Sequence, residues 1–252
     1  MTVTRKGVGT SRLSEYLSHG VSFDARRFTT RELNAKIKGL VSQGRKEIAI
    51  LNPEARHNLG VGILQKCTLY FDGSVGYYCL SYCDGIEATI AGNSGWGLGD
   101  NLMSGRIIVN RNAGASVGAS MRGGEIIVWG NAGARAGISM KGGTLIISGS
   151  SGFLTGFMMQ KGRIIVLGDL GAAAGDSMYE GVIYFGGKVE SLGADAKVEA
   201  ARSSEEGEVI ATLKRAGANP KVLPSGFRKI VSKKKLYHYD SLEPLERERL
   251  VI

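Results

Sequence analysis

The side chains in this sequence that could do chemistry are three thiols, three imidazoles and a scatter of carboxylates. Cys67, Cys79 and Cys83 are candidates for a metal or redox site. Zinc knuckles keep two residues between paired cysteines. Cys79 and Cys83 stand four apart and no second pair follows, so these thiols read as packing groups in a reducing compartment. His19, His57 and His238 lie far apart and share no metal spacing. Asp84, Asp100 and Asp176 each fall beside or near a glycine. Acid–base catalysis needs two such groups to converge in one pocket. No Ser-His-Asp or Cys-His set is recognisable, and catalytic, cofactor and metal residues are all expected to be absent from this chain.

Two motifs invite a binding reading. Gly95-Trp96-Gly97-Leu98-Gly99 resembles a phosphate loop, but a dinucleotide fingerprint must sit between a strand and a helix, and no Walker lysine follows. The stretch Pro53-Glu54-Ala55-Arg56-His57-Asn58 gathers polar types. Arg56, His57 and Asn58 suit a cap or interface, or a contribution to a substrate or ammonia path.

The elements that must position these residues are set by a repeat. Gly76, Gly95, Gly114, Gly133, Gly152 and Gly171 follow one another at nineteen residues. Gly99, Gly118, Gly137, Gly156 and Gly175 keep the same period, as do Gly105, Gly124, Gly143, Gly162 and Gly181. Each unit holds a short apolar run: RIIVN, EIIVW, TLIIS, RIIVL and VIYFG, preceded by TLYFD and EATIA in the same frame. The runs are too short for helices and rich in the β-branched residues that favour strands. Nineteen extended residues trace about 60 Å at about 3.3 Å each, enough for one closed turn. The expected fold is all-β, a right-handed parallel β-helix of about seven nineteen-residue coils. The expected divisions are 1–56 as an N-terminal cap segment, 57–189 as the β-helix, and 190–252 as a helical and basic tail.

Equivalent side chains stack in such a rod. Ile107, Ile126, Leu145, Ile164 and Ile183 should form one inward ladder, and Val109, Val128, Ile147, Val166 and Phe185 another. Met121, Met140, Met159 and Met178 form a third column suited to core packing. Asn93, Asn112, Asn131, Ser150 and Asp169 mark a corner where side chains can bond backbone. Ile108, Ile127, Ile146 and Ile165 fall between the inward ladders and so face outward. An apolar stripe of this kind asks to be covered, by a terminal segment or by a partner. Both rod ends need plugs. A helix from about residue 30, with Thr30 as its cap, and a helix over 197–216 interrupted at Gly207 are the predicted ones.

Glycine, at 38 of 252 residues, is about twice its usual share, while proline numbers four. Collagen and flexible linkers are excluded by the absent three-residue period and by the apolar runs. The net charge is +9. It gathers at the ends: residues 57–189 hold nine basic and eight acidic side chains, residues 1–50 ten and four, residues 221–252 eight and four. A basic run, Lys233–Lys235, precedes Tyr237 and Tyr239. Nucleic-acid binding wants a continuous basic face with stacking aromatics, so no nucleic acid is expected. Neither a signal-like segment nor a membrane-length apolar stretch stands out, which predicts a cytoplasmic protein without membrane contact.

The repeats GNSGWGLGDNLMSGRIIV, GASVGASMRGGEIIVWG, GARAGISMKGGTLIISG and GFLTGFMMQKGRIIVLGDLGAAAGDSMYEG resemble the GXGXG domain. That domain closes the large subunit of glutamate synthase and forms the C subunit of formylmethanofuran dehydrogenase. The upstream stretch FDARRFTTRELNAKIKGLVSQGRKEIAILNPEARHNLGVGI looks closer to a stand-alone member, the small β-helical subunit of N-methylglutamate synthase. The resemblance runs from about Phe23 to Leu236. It implies a non-catalytic subunit that braces a glutaminase-like subunit against a synthase subunit carrying FMN and an iron–sulfur cluster. The complex would convert methylamine and glutamate to N-methylglutamate and ammonia. The family's glutaminase part carries its cysteine nucleophile at the processed N-terminus. Here Met1-Thr2 begins the sequence and the first cysteine is Cys67, which agrees with a divided enzyme. Two alternatives stay open: a subunit of a formylmethanofuran dehydrogenase or formyltransferase/hydrolase complex, and a scaffold with no enzyme partner.

Overall fold

The computed structural model describes residues 20–220 and 223–233. Nine parallel strands stack in chain order along a right-handed solenoid, of which the nineteen-residue repeat makes about seven turns. They are β1 (Val21–Asp24), β2 (Glu47–Leu51), β3 (Thr68–Asp72), β4 (Ile86–Ile90), β5 (Gly105–Val109), β6 (Glu125–Val128), β7 (Lys141–Ile147), β8 (Lys161–Val166) and β9 (Val182–Phe185). The strand register is the one the repeat predicts, with Ile107 beside Ile126, Ile126 beside Leu145, and Leu145 beside Ile164. The stack also extends in front of His57: β1 pairs with β2, and β2 with β3, both parallel.

Helix α1 (Thr30–Ser42) lies between β1 and β2 and plugs the first end. Its Leu33, Ile37 and Val41 join the main core. Thr29, one residue earlier than expected, caps it: its side chain accepts from Glu32 N while Glu32 accepts from the Thr29 backbone. This reciprocal pair satisfies two of the free amides at a helix start.

The second end departs from expectation. Residues 197–216 are not one helix. Strand β10 (Ala196–Ala200) comes first, and helix α2 (Ser203–Ala216) then runs through Gly207 without a break. Strand β11 (Arg228–Ser232) pairs antiparallel with both β9 and β10. Ala196 and Ile230, both fully buried, close the core there. The end is therefore sealed by strands, which satisfy the β9 ladder directly, and α2 is free to pack elsewhere.

Each turn has three walls. The strands make the first. A short bridge per turn, from Val75 through Ser94, Ala113, Ala132, Ser151 and Leu170 to Val189, makes the second. The third wall is bent. Its alternate residues have positive φ, as at Ser116, Gly118 and Ser120, or Arg135, Gly137 and Ser139. The ladder survives because alternate amides bond to opposite neighbours: Ser116 N donates to Ala134 O at 2.8 Å, and Gly118 N donates to Leu98 O at 2.9 Å. From Gly99 to Gly175 the middle position is glycine, and it faces the core. At Gly137, φ is +68° and an added Cβ would stand 2.5 Å from Ile164 Cδ1. The four methionines fill the interior beside these glycines, all fully buried.

Candidate functional site

The thiols are core groups. Cys67, Cys79 and Cys83 are buried and free of disulfides. Burial pushes the Cys67 thiol up to about 11 and the Cys79 thiol up to about 12, because a thiolate loses its hydration there. The Cys83 thiol rises for the same reason and donates to Gly60 O at 3.1 Å. At neutral pH all three are protonated, so none is poised as a nucleophile.

The carboxylates do not converge. Asp84 accepts from Ser104 Oγ at 2.5 Å, Asp100 accepts from Asn101 Nδ2 at 3.1 Å, and Asp176 accepts from Ser177 Oγ at 2.7 Å. Burial raises Asp100 above its ordinary value. The corner residues form a ladder. Asn131 N donates to Asn112 Oδ1 at 2.8 Å, Ser150 N donates to Asn131 Oδ1 at 2.8 Å, and Lys188 N donates to Asp169 Oδ1 at 2.6 Å. Gly97 and Gly99, the phosphate-loop candidates, both lie in the bent wall at positive φ, against the Tyr78 ring and Ile126 respectively. Among the described residues no three of His, Cys, Asp and Glu gather as a metal site, and no helix is long and apolar enough to cross a membrane. His19, His238, Lys234, Lys235, Tyr237 and Tyr239 lie outside the described residues.

Arg56, His57 and Asn58 tie the first turn to α1. The Arg56 guanidinium donates to Phe28 O. Asn34, on α1, donates from Nδ2 to Asn58 O at 2.7 Å and accepts from Gly60 N at 2.8 Å. His57 Nδ1 accepts from Tyr77 N at 2.9 Å. Its ring stacks on Tyr77 with centroids 4.4 Å apart, and Tyr77 stacks on Trp96 at 5.2 Å.

The outward isoleucine stripe is covered by the chain itself. Ile108, Ile127, Ile146 and Ile165 form a second apolar cluster with Val209, Leu213 and Ala216 of α2 and with Phe227. Ile127, Ile146 and Ile165 have no solvent exposure. Polar contacts clamp α2 at its start. Glu205 takes Arg202 Nη2 at 2.9 Å and Lys229 Nζ at 2.9 Å, and Glu206 accepts from Phe227 N at 2.9 Å. The hydrogen bonds from Arg202, with help from Lys229, pull the Glu205 carboxyl down to about 2.

Among the described residues the bent wall has no such cover, and the apolar runs of the repeat had not singled it out. Tyr77, Tyr78, Tyr82, Trp96, Phe153 and Met158 stand on it, all exposed. They make up most of the large exposed apolar side chains among the described residues. The signal was present in the repeat, since Tyr77, Trp96 and Phe153 occupy one position of the nineteen-residue unit.

The described residues thus form a parallel solenoid with one wall sealed by its own helix and another left uncovered. The GXGXG motif family model matches residues 29–215, most of the chain, and the chain belongs to that family. Among its relatives is Protein GlxC of Rhizobium meliloti (strain 1021), 37% identical over 81 residues. That stretch covers 31% of this chain and 35% of the relative, so the likeness spans about a third of each.

Proposed function

We propose that this chain is a non-catalytic subunit of a glutamate-synthase-like complex. Within that class we assign it to N-methylglutamate synthase, bracing a glutaminase-like subunit against a subunit that carries FMN and an iron–sulfur cluster. The observation that carries the reading is the GXGXG match across 29–215 on a solenoid whose reactive side chains are spent on its own packing. The buried thiols are held protonated, the corner amides and carboxylates bond backbone, and the carboxylates on the bent wall bond neighbouring hydroxyls and amides. The exposed apolar residues on the bent wall supply what a bracing subunit needs, a surface that gains by being covered. The mouth at Arg56, His57 and Asn58 joins that surface and is the point we assign to an interface or an ammonia path.

The test is purification of the tagged chain from cells that also express the two other subunits. The expected result is co-elution with a protein showing flavin absorbance, and methylamine-dependent formation of N-methylglutamate by the assembly but not by the isolated chain. Turnover by the isolated, flavin-free chain would refute the non-catalytic part. A flavin-bearing assembly that turns over ammonia or another amine would refute the substrate.

A further inference from the structure

The large apolar side chains of the bent wall fall into two groups. Tyr77, Tyr78, Tyr82 and Trp96 stand near the first end of the rod. Phe153 and Met158, 47% and 38% exposed, stand on one turn near the second end. Leu154 and Phe157, both half-buried, lie between them on the same turn. This second group is one contiguous apolar patch, and the described residues leave it uncovered.

The chain leaves the described fold beside this patch. Strand β11 runs antiparallel to β9, with Arg228 beside Phe185 and Ile230 beside Ile183. It therefore heads back toward Gly181, at the corner where the bent wall meets the strand wall. Just past its end, Lys233 N donates to Asp195 O at 2.7 Å. Two residues before Asp195, Gly193 packs so closely on Asp176 that no Cβ fits between them. Asp176 O in turn accepts from Met158 N at 3.0 Å. Lys233 thus stands two turns from Met158, about 10 Å at about 4.8 Å per turn. Three extended residues cover that distance at about 3.3 Å each, which brings Leu236 within reach of the patch.

The residues that follow Lys233, from 234 onward outside the described residues, suit the patch in composition. Leu236, Tyr237, Tyr239, Leu242 and Leu245 supply apolar side chains. Residues 236–252 hold four acidic side chains, Asp240, Glu243, Glu246 and Glu248, against two basic, Arg247 and Arg249. The wall has the opposite sign. Its stretches 114–123, 133–142 and 152–161 hold Arg122, Arg135, Lys141 and Lys161 and no carboxylate. Arg135 is exposed and borders the patch, its backbone N donating to Phe153 O at 2.7 Å. A second copy of the chain would bring a second set of these cations to the first. A segment tethered this close meets the patch at an effective concentration of about millimolar, so it prevails over a free partner of equal affinity.

From the exit point, the reach and the charge, we propose that the chain's own C-terminal segment, residues 236–245, lies over Phe153, Leu154, Phe157 and Met158. The second end of the bent wall is then sealed within the chain, as α2 seals the isoleucine stripe. The aromatic group around Trp96 is the part that stays open. The inference concerns the isolated chain and stands apart from its assignment to an enzyme complex.

The experiment uses the purified full chain at low concentration. Phe153→p-benzoylphenylalanine places a photo-crosslinker in the patch, and mass spectrometry maps the crosslinked peptides. The expected product is a monomer in which position 153 is joined to residues 236–245. A monomer with no crosslink to that segment overturns the proposal. A crosslinked dimer, or a crosslink to a co-purifying protein, overturns it by giving the patch another occupant. A second measurement reads the patch directly. Leu242→Asp with Leu245→Asp, in the full chain, should raise binding of the apolar dye anilinonaphthalene sulfonate at least threefold. Adding Phe153→Ser and Met158→Ser should remove that rise. Circular dichroism melts establish that each variant is folded. Dye binding left unchanged by Leu242→Asp with Leu245→Asp overturns the proposal, as does a rise that persists without Phe153 and Met158.

Discussion

The strand wall and the bent wall of this solenoid meet the same problem and end differently. Both carry large apolar residues on their outer faces. On the strand wall the stripe Ile108, Ile127, Ile146 and Ile165 lies under α2, and the cover is part of the fold. On the bent wall Trp96, Tyr78 and Phe153 remain in solvent. The difference separates apolar surface that stabilises the chain from apolar surface that the described residues leave exposed. A fully buried isoleucine contributes about 1.5–3 kcal/mol, and the stripe's burial is complete within one chain.

The comparison breaks most sharply at the stripe. Ile127→Asp with Ile146→Asp puts two carboxylates beneath α2, in an apolar cluster with no solvent exposure. We expect a loss of more than about 4 kcal/mol, the range of an unpaired buried charge, seen as early melting of the isolated chain. If the double variant melts like wild type, α2 is not a stabilising cover. Next in size is the interior that both walls share. Gly137→Val should lose about 2–4 kcal/mol from a strained positive φ and overpacking against Ile164. Ile126→Ala should lose about 2–5 kcal/mol through the cavity it leaves. Urea denaturation of each checks the figures.

A smaller effect sharpens the α2 side. Glu205 sits at about 2 in the folded chain, against an ordinary value of 4.5. Its folded pKa is depressed, so its contribution is full above about pH 4.5 and is lost as pH falls toward about 2. Hydrogen exchange along α2 should quicken over that window, and Glu205→Gln should flatten the dependence. An identical acid profile in the variant would remove Glu205 as the clamp. The smallest effect belongs to the bent wall. Trp96→Ala should change the stability of the isolated chain by less than about 1 kcal/mol, the range for an exposed aromatic contact. A larger loss in a thermal melt would mean that the aromatic column holds the fold and not a partner.

Much of this contrast was legible in the residues. Glycines at nineteen-residue spacing forced a closed turn of fixed length, and the Ile-Ile-Val runs placed the inward ladders in the register observed. The outward stripe followed from alternation alone. The bent wall did not, because alternation fails there. Tyr77 and Tyr78 are neighbours and both exposed, while Cys79 and Leu80 are neighbours and both buried. Positive φ at Tyr78, Leu80 and Tyr82 rotates successive side chains out of the two-residue period of a strand. Leu80 even occupies, at φ 56°, the position that glycine holds in the other turns.

The sequence by itself determined what a repeat can determine: turn length, strand register, the methionine column and the asparagine ladder. Each of these is a relation between equivalent residues, and stacking identical turns brings such residues together whatever lies outside. Only the tertiary structure decided what covers what. Residues 197–216 read as a helix suited to plug the end of the rod, whereas the helix observed over Ser203–Ala216 lies on the isoleucine stripe. The choice went to the stripe because β11 pairs with β9 and closes the end with backbone hydrogen bonds that a helix cannot supply. A segment's own pattern fixes what it can bury, and the surface left open by every other segment fixes where.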